Sequence, residues 1–219
     1  MFEDKKTDIL LIMPPYRLVP PYKYKLIDPP HSLIVLATIL KSEGYDLNIF
    51  DMSILETGYE SIGPYIERVK PKIVGIQNRS TYSFPIVQKT AEAVKKADPS
   101  LPVLVGGTHV SYNPEKSLCE CENIDYILVG EAEITLPRLL KAVVKGLIDL
   151  TEVEGLVYRS KEGTIRRNKD FIPLDDLSRL PLPDLDLIPI NRYVERQERY
   201  VTHLSRGCLY SCPYCTSEI

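Results

Sequence analysis

Five short, nearly unbroken apolar runs recur along the first 147 positions: Asp8–Met13, Asp46–Asp51, Lys72–Gln77, Pro102–Val105 and Asp125–Val129. A strand wetted on one face alternates polar and apolar residues. Runs as continuous as Leu10-Leu11-Ile12 instead suit strands covered on both faces. Between them the period becomes helical. Leu33–Lys41 is apolar nearly all round and stops ahead of Gly44, a residue suited to the left-handed turn after a helix. Ile62, Tyr65, Ile66 and Val69 form one helical face, which halts at Pro71, and Ile86, Thr90, Ala93, Val94 and Ala97 form the next. A short helix is expected over Pro114–Glu120. Leu136, Leu139, Leu140, Val143, Val144 and Leu147 mark a last, strongly amphipathic one. Five β/α units in a row predict an α/β fold, a doubly wound five-stranded parallel sheet with right-handed crossovers.

Past position 147 the pattern changes. Glu154–Arg159 and Thr164–Arg167 flank Ser160-Lys-Glu-Gly163, which predicts a β-hairpin with Gly163 at the left-handed turn position. PLDDLSRLPLPDLDLIP, from Pro173 to Pro189, is too rich in proline for regular structure. It is expected to be a linker whose leucines dock on a neighbouring surface. Tyr200–Leu204 reads as one new strand that delivers Ser205-Arg206-Gly207-Cys208. The expected division is an α/β domain over 1–147, hairpin and linker over 148–199, and the start of another unit over 200–219.

A parallel sheet of this kind holds ligands outside the carboxyl ends of its strands. The loops there exclude several tenants. The first carries Met13-Pro14-Pro15-Tyr16 where a dinucleotide site needs G-x-G-x-x-G, and no phosphate-binding G-x-x-x-x-G-K-[ST] occurs. A phospho-receiver would close its third strand with Asp, but Gln77 and Asn78 stand there. What is left is glycine, hydroxyl and amide: Asn78, Ser80 and Thr81 after the third run, Gly106, Gly107 and His109 after the fourth, Gly130 and Glu131 after the fifth. Pro15 and the helix start His31-Ser32 border the same edge. Gly106-Gly107 would let a bulky ligand approach the backbone. Each loop also has a plainer reading, in which the glycines turn the chain, the hydroxyls cap a helix and the histidines form ordinary hydrogen bonds.

Bulk properties narrow the setting. The net charge is −3, which offers no basic field for nucleic acid. The longest apolar run, Leu33–Leu40, is too short to cross a bilayer. Five cysteines, three of them crowded together, do not form a secreted disulfide framework, so a cytoplasmic protein is expected. Cys119 and Cys121, two apart on a helix, point away from each other and are expected to be structural.

The crowded three carry the chemistry. SRGCLYSCPYC places Cys208, Cys212 and Cys215 in C-x3-C-x2-C spacing, with Gly207 and Pro213 shaping the loop. Structural zinc and ordinary iron–sulfur clusters want four protein ligands. Three ligands and an open position suit a cluster whose free iron takes a substrate or cofactor. This stretch resembles the signature of radical S-adenosylmethionine enzymes. GGTHVSYNPE, VGEAE, the hairpin EGLVYRSKEGTIRRN and LPLPDLDLIPINRY resemble, in order, the cobalamin-binding class of those enzymes.

The resemblance implies a flavodoxin-like sheet of the cobalamin-binding type, whose cobalamin contacts come from Pro15, His31, Ser32, Asn78, Ser80, Thr81, Gly106, Gly107, His109, Gly130 and Glu131. It implies a 4Fe–4S cluster on Cys208, Cys212 and Cys215, S-adenosylmethionine on the free iron, and Tyr214 near the adenine. It further implies methylation or oxidative cyclisation of an unidentified small molecule at an unreactive carbon, with an external electron donor. The family's barrel needs far more chain than the four residues after Cys215, so these residues are expected to be a truncated, catalytically inactive portion without catalytic residues of its own. No D-x-H-x-x-G follows the first run, so no histidine is expected on cobalt. Two rivals stay open: a sheet domain that has lost cobalamin and only docks, and a ligand sensor with a zinc-type cysteine tail.

Overall fold

The computed structural model describes residues 6–16 and 28–195, together with Gly207, Cys208, Tyr210, Cys212 and Cys215. The strand expected over 200–204 and Tyr214 lie outside the described residues. The five apolar runs become parallel strands: β1 (Ile9–Met13), β2 (Leu47–Asp51), β3 (Ile73–Asn78), β4 (Val103–Gly107) and β5 (Tyr126–Leu128). They lie in the order β2-β1-β3-β4-β5. The chain steps from β1 outward to β2 and then returns past β1 to β3, so the topological switch point falls between β1 and β3.

The unbroken hydrophobicity of β1 has its physical reason in two cores. Ile9, Leu11 and Met13 face one cluster and Leu10 and Ile12 the other. Helices α1 (His31–Ser42) and α6 (Ala132–Val143) cover the first face. Helices α2 (Ile62–Val69), α3 (Phe84–Ala97), α4 (Thr108–Tyr112) and α5 (Pro114–Glu120) cover the second. Gly44 ends α1 with φ +80°, as its position predicts, and Lys70 takes the left-handed conformation ahead of Pro71 at the end of α2.

The hairpin is not a separate appendage. Its strands β6 (Leu156–Arg159) and β7 (Ile165–Arg167) extend the sheet antiparallel from β5, making seven strands rather than five. One sheet therefore runs across the boundary expected at 147. The proline-rich linker then turns back over the first face. Asp184 accepts an ion pair from Lys41 at 2.7 Å, and its backbone N–H donates to the Thr38 hydroxyl at 2.9 Å. Leu185 and Leu187 pack on the first core, whereas Leu182 is 90 % exposed, so only part of the leucine set docks. The segment ends in α7 (Ile190–Val194), and Ile188 and Tyr193 are buried. Burying one such aliphatic side chain stabilises by roughly 1.5–3 kcal/mol.

Candidate functional site at the carboxyl edge

Strand order brings the ends of β1, β3 and β4 side by side. Tyr16, buried just beyond β1, donates its hydroxyl to the Gln77 carbonyl and ties the two sides of the switch point together. Asn78 closes β3 and is 1 % exposed. Its amide nitrogen donates to the Ser80 carbonyl at 3.2 Å and to the Ser83 hydroxyl at 3.3 Å. Its Oδ1, like Gln77 Oε1, is buried without a hydrogen-bond partner. An unmade hydrogen bond of that kind costs about 1–3 kcal/mol, so each of these acceptors, one on either face of the strand end, leaves a place for a donor.

The two glycines of β4 do different work. Gly107 sits opposite Asn78 with φ +126°, and a Cβ there would lie 1.9 Å from the Asn78 carbonyl oxygen. Only glycine fits. A Cβ on Gly106 would meet nothing within 4 Å. Gly106 is therefore the residue that leaves room for a ligand, and Gly107 is a requirement of the fold.

Ser80 and Ser83 bond reciprocally as a capping box ahead of α3. Thr81 is exposed, and its hydroxyl lies 3.2 Å from His109 Nδ1. The imidazole is tilted against the Phe84 ring at 4.7 Å, and burial lowers its pKa below the usual 6.5, favouring the neutral ring. Pro15 is buried, His31 half-buried at the start of α1 and Ser32 exposed.

The β5 end is different. The Gly130 N–H donates to Ser111 Oγ at 3.0 Å, and the Phe171 ring covers the face where a Cβ on Gly130 would be, at 2.4 Å. Glu131 Oε2 accepts the backbone N–H of Leu174 at 2.8 Å. The start of the linker thus occupies both expected site residues.

At the outer end of the edge lies a pair that residue patterns did not single out. Asp51 ends β2 at 3 % exposure. It accepts from the Tyr193 hydroxyl at 2.8 Å and from the N–H groups of Ser53 and Ile54 at 2.8 and 3.1 Å. Burial pushes its pKa up despite these bonds, and burial followed by the Asp51 charge pushes that of Tyr193 up. The only local signal was an aspartate closing an otherwise apolar run.

Of the cysteines, Cys208 is exposed, and Cys212 and Cys215 are partly exposed. The Cys215 N–H donates to the Cys212 carbonyl at 2.9 Å. Tyr112, at the end of α4, donates to the Cys215 carbonyl at 3.4 Å, so this loop touches the carboxyl edge. Among the described residues no three His, Cys, Asp or Glu side chains gather as a metal site. Cys121 is buried, with its thiol pKa raised by burial, and Cys119 is exposed. Among the described residues no helix is long and apolar enough to cross a membrane.

Comparisons with known proteins place the chain among cobalamin-binding relatives. The B12 binding domain family matches residues 23–140. An uncharacterized methyltransferase of Pyrococcus horikoshii is 30 % identical over 98 % of this chain and 46 % of its own length. The anaerobic magnesium-protoporphyrin IX monomethyl ester cyclase of Rubrivivax gelatinosus is 27 % identical over 86 % of this chain and 35 % of its own. The chain thus spans less than half the length of these relatives. Among solved structures, the cobalamin-dependent S-adenosylmethionine radical enzyme OxsB superposes with TM-score 0.76 at 23 % identity, over 96 % of this chain and 28 % of its own. The radical S-adenosylmethionine methyltransferase TsrM from Kitasatospora setae superposes with TM-score 0.61 at 22 % identity, over 74 % of this chain and 30 % of its own.

Proposed function

The chain belongs to the B12 binding domain family, and from that premise we propose that it carries cobalamin across the open part of the carboxyl edge on behalf of a radical S-adenosylmethionine enzyme. The observation that carries this reading is the room beside Gly106, with Gln77 opposite it on β3 and its Oε1 unpaired among the described residues. The corrin rim bears amide groups, whose N–H bonds suit such acceptors. Ser80 and Thr81 add hydroxyls on one side, and Pro15, His31 and Ser32 border the other. When bound, cobalamin supplies a methyl-carrying or redox-active cobalt; the protein supplies orientation and exclusion of water.

In the same proposal Cys208, Cys212 and Cys215 hold a 4Fe–4S cluster that binds S-adenosylmethionine, with Tyr214 near its adenine. Tyr112 tethers that loop to the cobalamin edge. Relatives named as methyltransferase and as cyclase support either methylation or oxidative cyclisation of a small molecule. An external electron donor and a cytoplasmic setting complete the reading. A separate observation favours another role for Gly130 and Glu131. Both are engaged by Phe171 and Leu174, and hold the linker unless a cofactor tail displaces it.

Hydroxocobalamin titration tests the proposal. The folded chain should bind it saturably with a shift in the visible bands, and Gly106→Phe should abolish binding while leaving the far-ultraviolet circular dichroism unchanged. Equal affinity in Gly106→Phe would remove the site. Anaerobic reconstitution of wild type and of Cys212→Ala, with iron and sulfide analysis, tests the cluster separately.

A further inference from the structure

Among the described residues, the proline-rich linker covers both flanks of the open room beside Gly106, and it covers them unequally. On the β2 side α7 seals the edge, where Tyr193 is buried and its hydroxyl donates to buried Asp51. On the β5 side the cover is residues 171–174. The Phe171 ring fills a slot formed at Gly130 and Gly155. A Cβ on Gly130 would lie 2.4 Å from the ring, and one on Gly155 2.7 Å from the Phe171 Cβ. Both glycines have positive φ, +74° and +72°, so the slot is walled there by bare backbone. The Leu174 N–H on Glu131 Oε2 holds the segment in place. The slot adjoins the room, because Gly106 pairs with Leu128, two residues ahead of Gly130.

This second cover is lightly held. Its firm anchors lie to either side. Asn168 Nδ2 donates to the Leu150 and Val153 carbonyls at 2.6 and 2.9 Å, and Asp184 is fixed on α1. Between the anchors Phe171 is half-buried, and Ile172, Pro173 and residues 175–179 are exposed. Arg179 pairs with Asp175 at 3.1 Å and the Ser178 N–H donates to Asp176 at 2.9 Å, bonds made within the segment rather than to the sheet. A stretch with so little burial opens locally at a small fraction of the global unfolding free energy.

Size decides what opens it. The ends of β1, β3 and β4 span about 10 Å at ordinary strand spacing. A corrin ring with its nucleotide tail is larger, so such a ligand seated at Gly106 overhangs one flank. The β2 flank is sealed by a buried pair. The β5 flank is closed only by an aromatic ring in a backbone-walled slot, the kind of space that suits the flat base at the end of the tail.

We propose that residues 171–174 are a displaceable plug, in which the Phe171 ring occupies the place of the cofactor's nucleotide tail until the tail drives it out. The inference rests on the cobalamin reading above and adds to it a competition between the chain's own strap and its ligand.

Hydroxocobalamin and diaquacobinamide, the same corrin without the nucleotide tail, test it. Two variants release the plug: Phe171→Ala, and Leu174→Pro, which lacks the N–H that Glu131 accepts. In both, hydroxocobalamin should bind at least about fivefold more tightly, and cobinamide affinity should stay within about twofold of wild type. Saturating hydroxocobalamin should also speed amide hydrogen exchange over residues 171–176 of the wild type, whereas cobinamide should not. Circular dichroism checks the fold of each variant, and the exchange measurement needs neither variant. Saturable binding of both ligands, with affinities and exchange unchanged, overturns the plug and leaves the cobalamin reading standing. Equal tightening of both ligands also overturns it, because the competitor is then the corrin and not the tail. Saturable binding of neither ligand overturns the cobalamin reading, and the plug with it.

Discussion

Among the described residues, the carboxyl edge of this sheet is open over β1, β3 and β4 and strapped over β5. On the open part a Cβ on Gly106 would meet nothing within 4 Å, and the buried side-chain amide oxygens of Gln77 and Asn78 have no partner among the described residues. On the strapped part every comparable group is engaged: Gly130 by Ser111 and Phe171, Glu131 by Leu174. The strap continues over α1 and is pinned at its far end by Tyr193 on Asp51. Glycine-rich loops that look alike along the chain therefore serve two ends, and only one of them leaves volume for a ligand.

The sharpest way to break this contrast is at the paired glycines. Gly107→Ala should destabilise the fold by about 4 kcal/mol or more, because it combines a left-handed φ with a Cβ driven into the Asn78 carbonyl. Gly106→Phe, one residue away, should stay within about 1 kcal/mol of wild type in urea unfolding. A bulky residue tolerated at both positions would show that the distinction between them is unfounded.

Next in size is the pin. Tyr193→Phe removes a hydrogen bond to a buried carboxylate, and should cost about 1.5–3 kcal/mol in urea unfolding at neutral pH. A loss below the error of the measurement would mean that the strap is held by Ile188, Leu185 and Leu187 alone.

Phe171→Ala probes the strapped end directly. Phe171 is half-buried against Gly130 and Gly155, and its truncation should cost about 1–2 kcal/mol. If a cofactor tail must displace the linker from Gly130, the same variant should bind hydroxocobalamin more tightly. Unchanged affinity would confine the ligand to the open part.

A smaller, pH-dependent effect belongs to Asp51. Burial raises its folded pKa above the ordinary 3.8, so the folded state favours the protonated form. The stability that this contributes is complete below 3.8 and is lost as pH rises through the raised value. Asp51→Asn does not titrate, so it should gain on wild type as pH climbs. Urea midpoints at several pH values between about 4 and 7 measure the difference. Parallel curves for the two proteins would place the Asp51 pKa at its ordinary value.

Much of the fold was legible because it is written in local periods. The unbroken run at Ile9–Met13 and the helical faces of α2, α3 and α6 follow from two cores separated by one sheet. Pairing over long distances was not legible. Nothing in Glu154–Arg167 says that the hairpin adds to β5 rather than standing apart, and Tyr193 meets Asp51 across 142 positions. The loops of the candidate site could be named as a set, since strand ends define them. Their division was hidden, because Gly106 and Gly107 differ only in which way the backbone turns and what stands opposite.

The least disturbance is expected from the histidines. His109 already lies 3.2 Å from Thr81 Oγ1 through Nδ1, and its ring is held against Phe84. That ring packing limits how far the imidazole could swing from the edge toward a metal above β1 and β3. His31 begins α1 and borders the open part from the other side, which makes it the more stringent test. His203 lies outside the described residues. Electron paramagnetic resonance of bound cob(II)alamin reads the question directly, because an axial imidazole nitrogen splits the cobalt lines. The nitrogen splitting pattern should be the same in wild type, His31→Ala and His109→Ala. A splitting present in wild type and lost in either variant would make that histidine a cobalt ligand, and the open part of the edge a site with its own axial base.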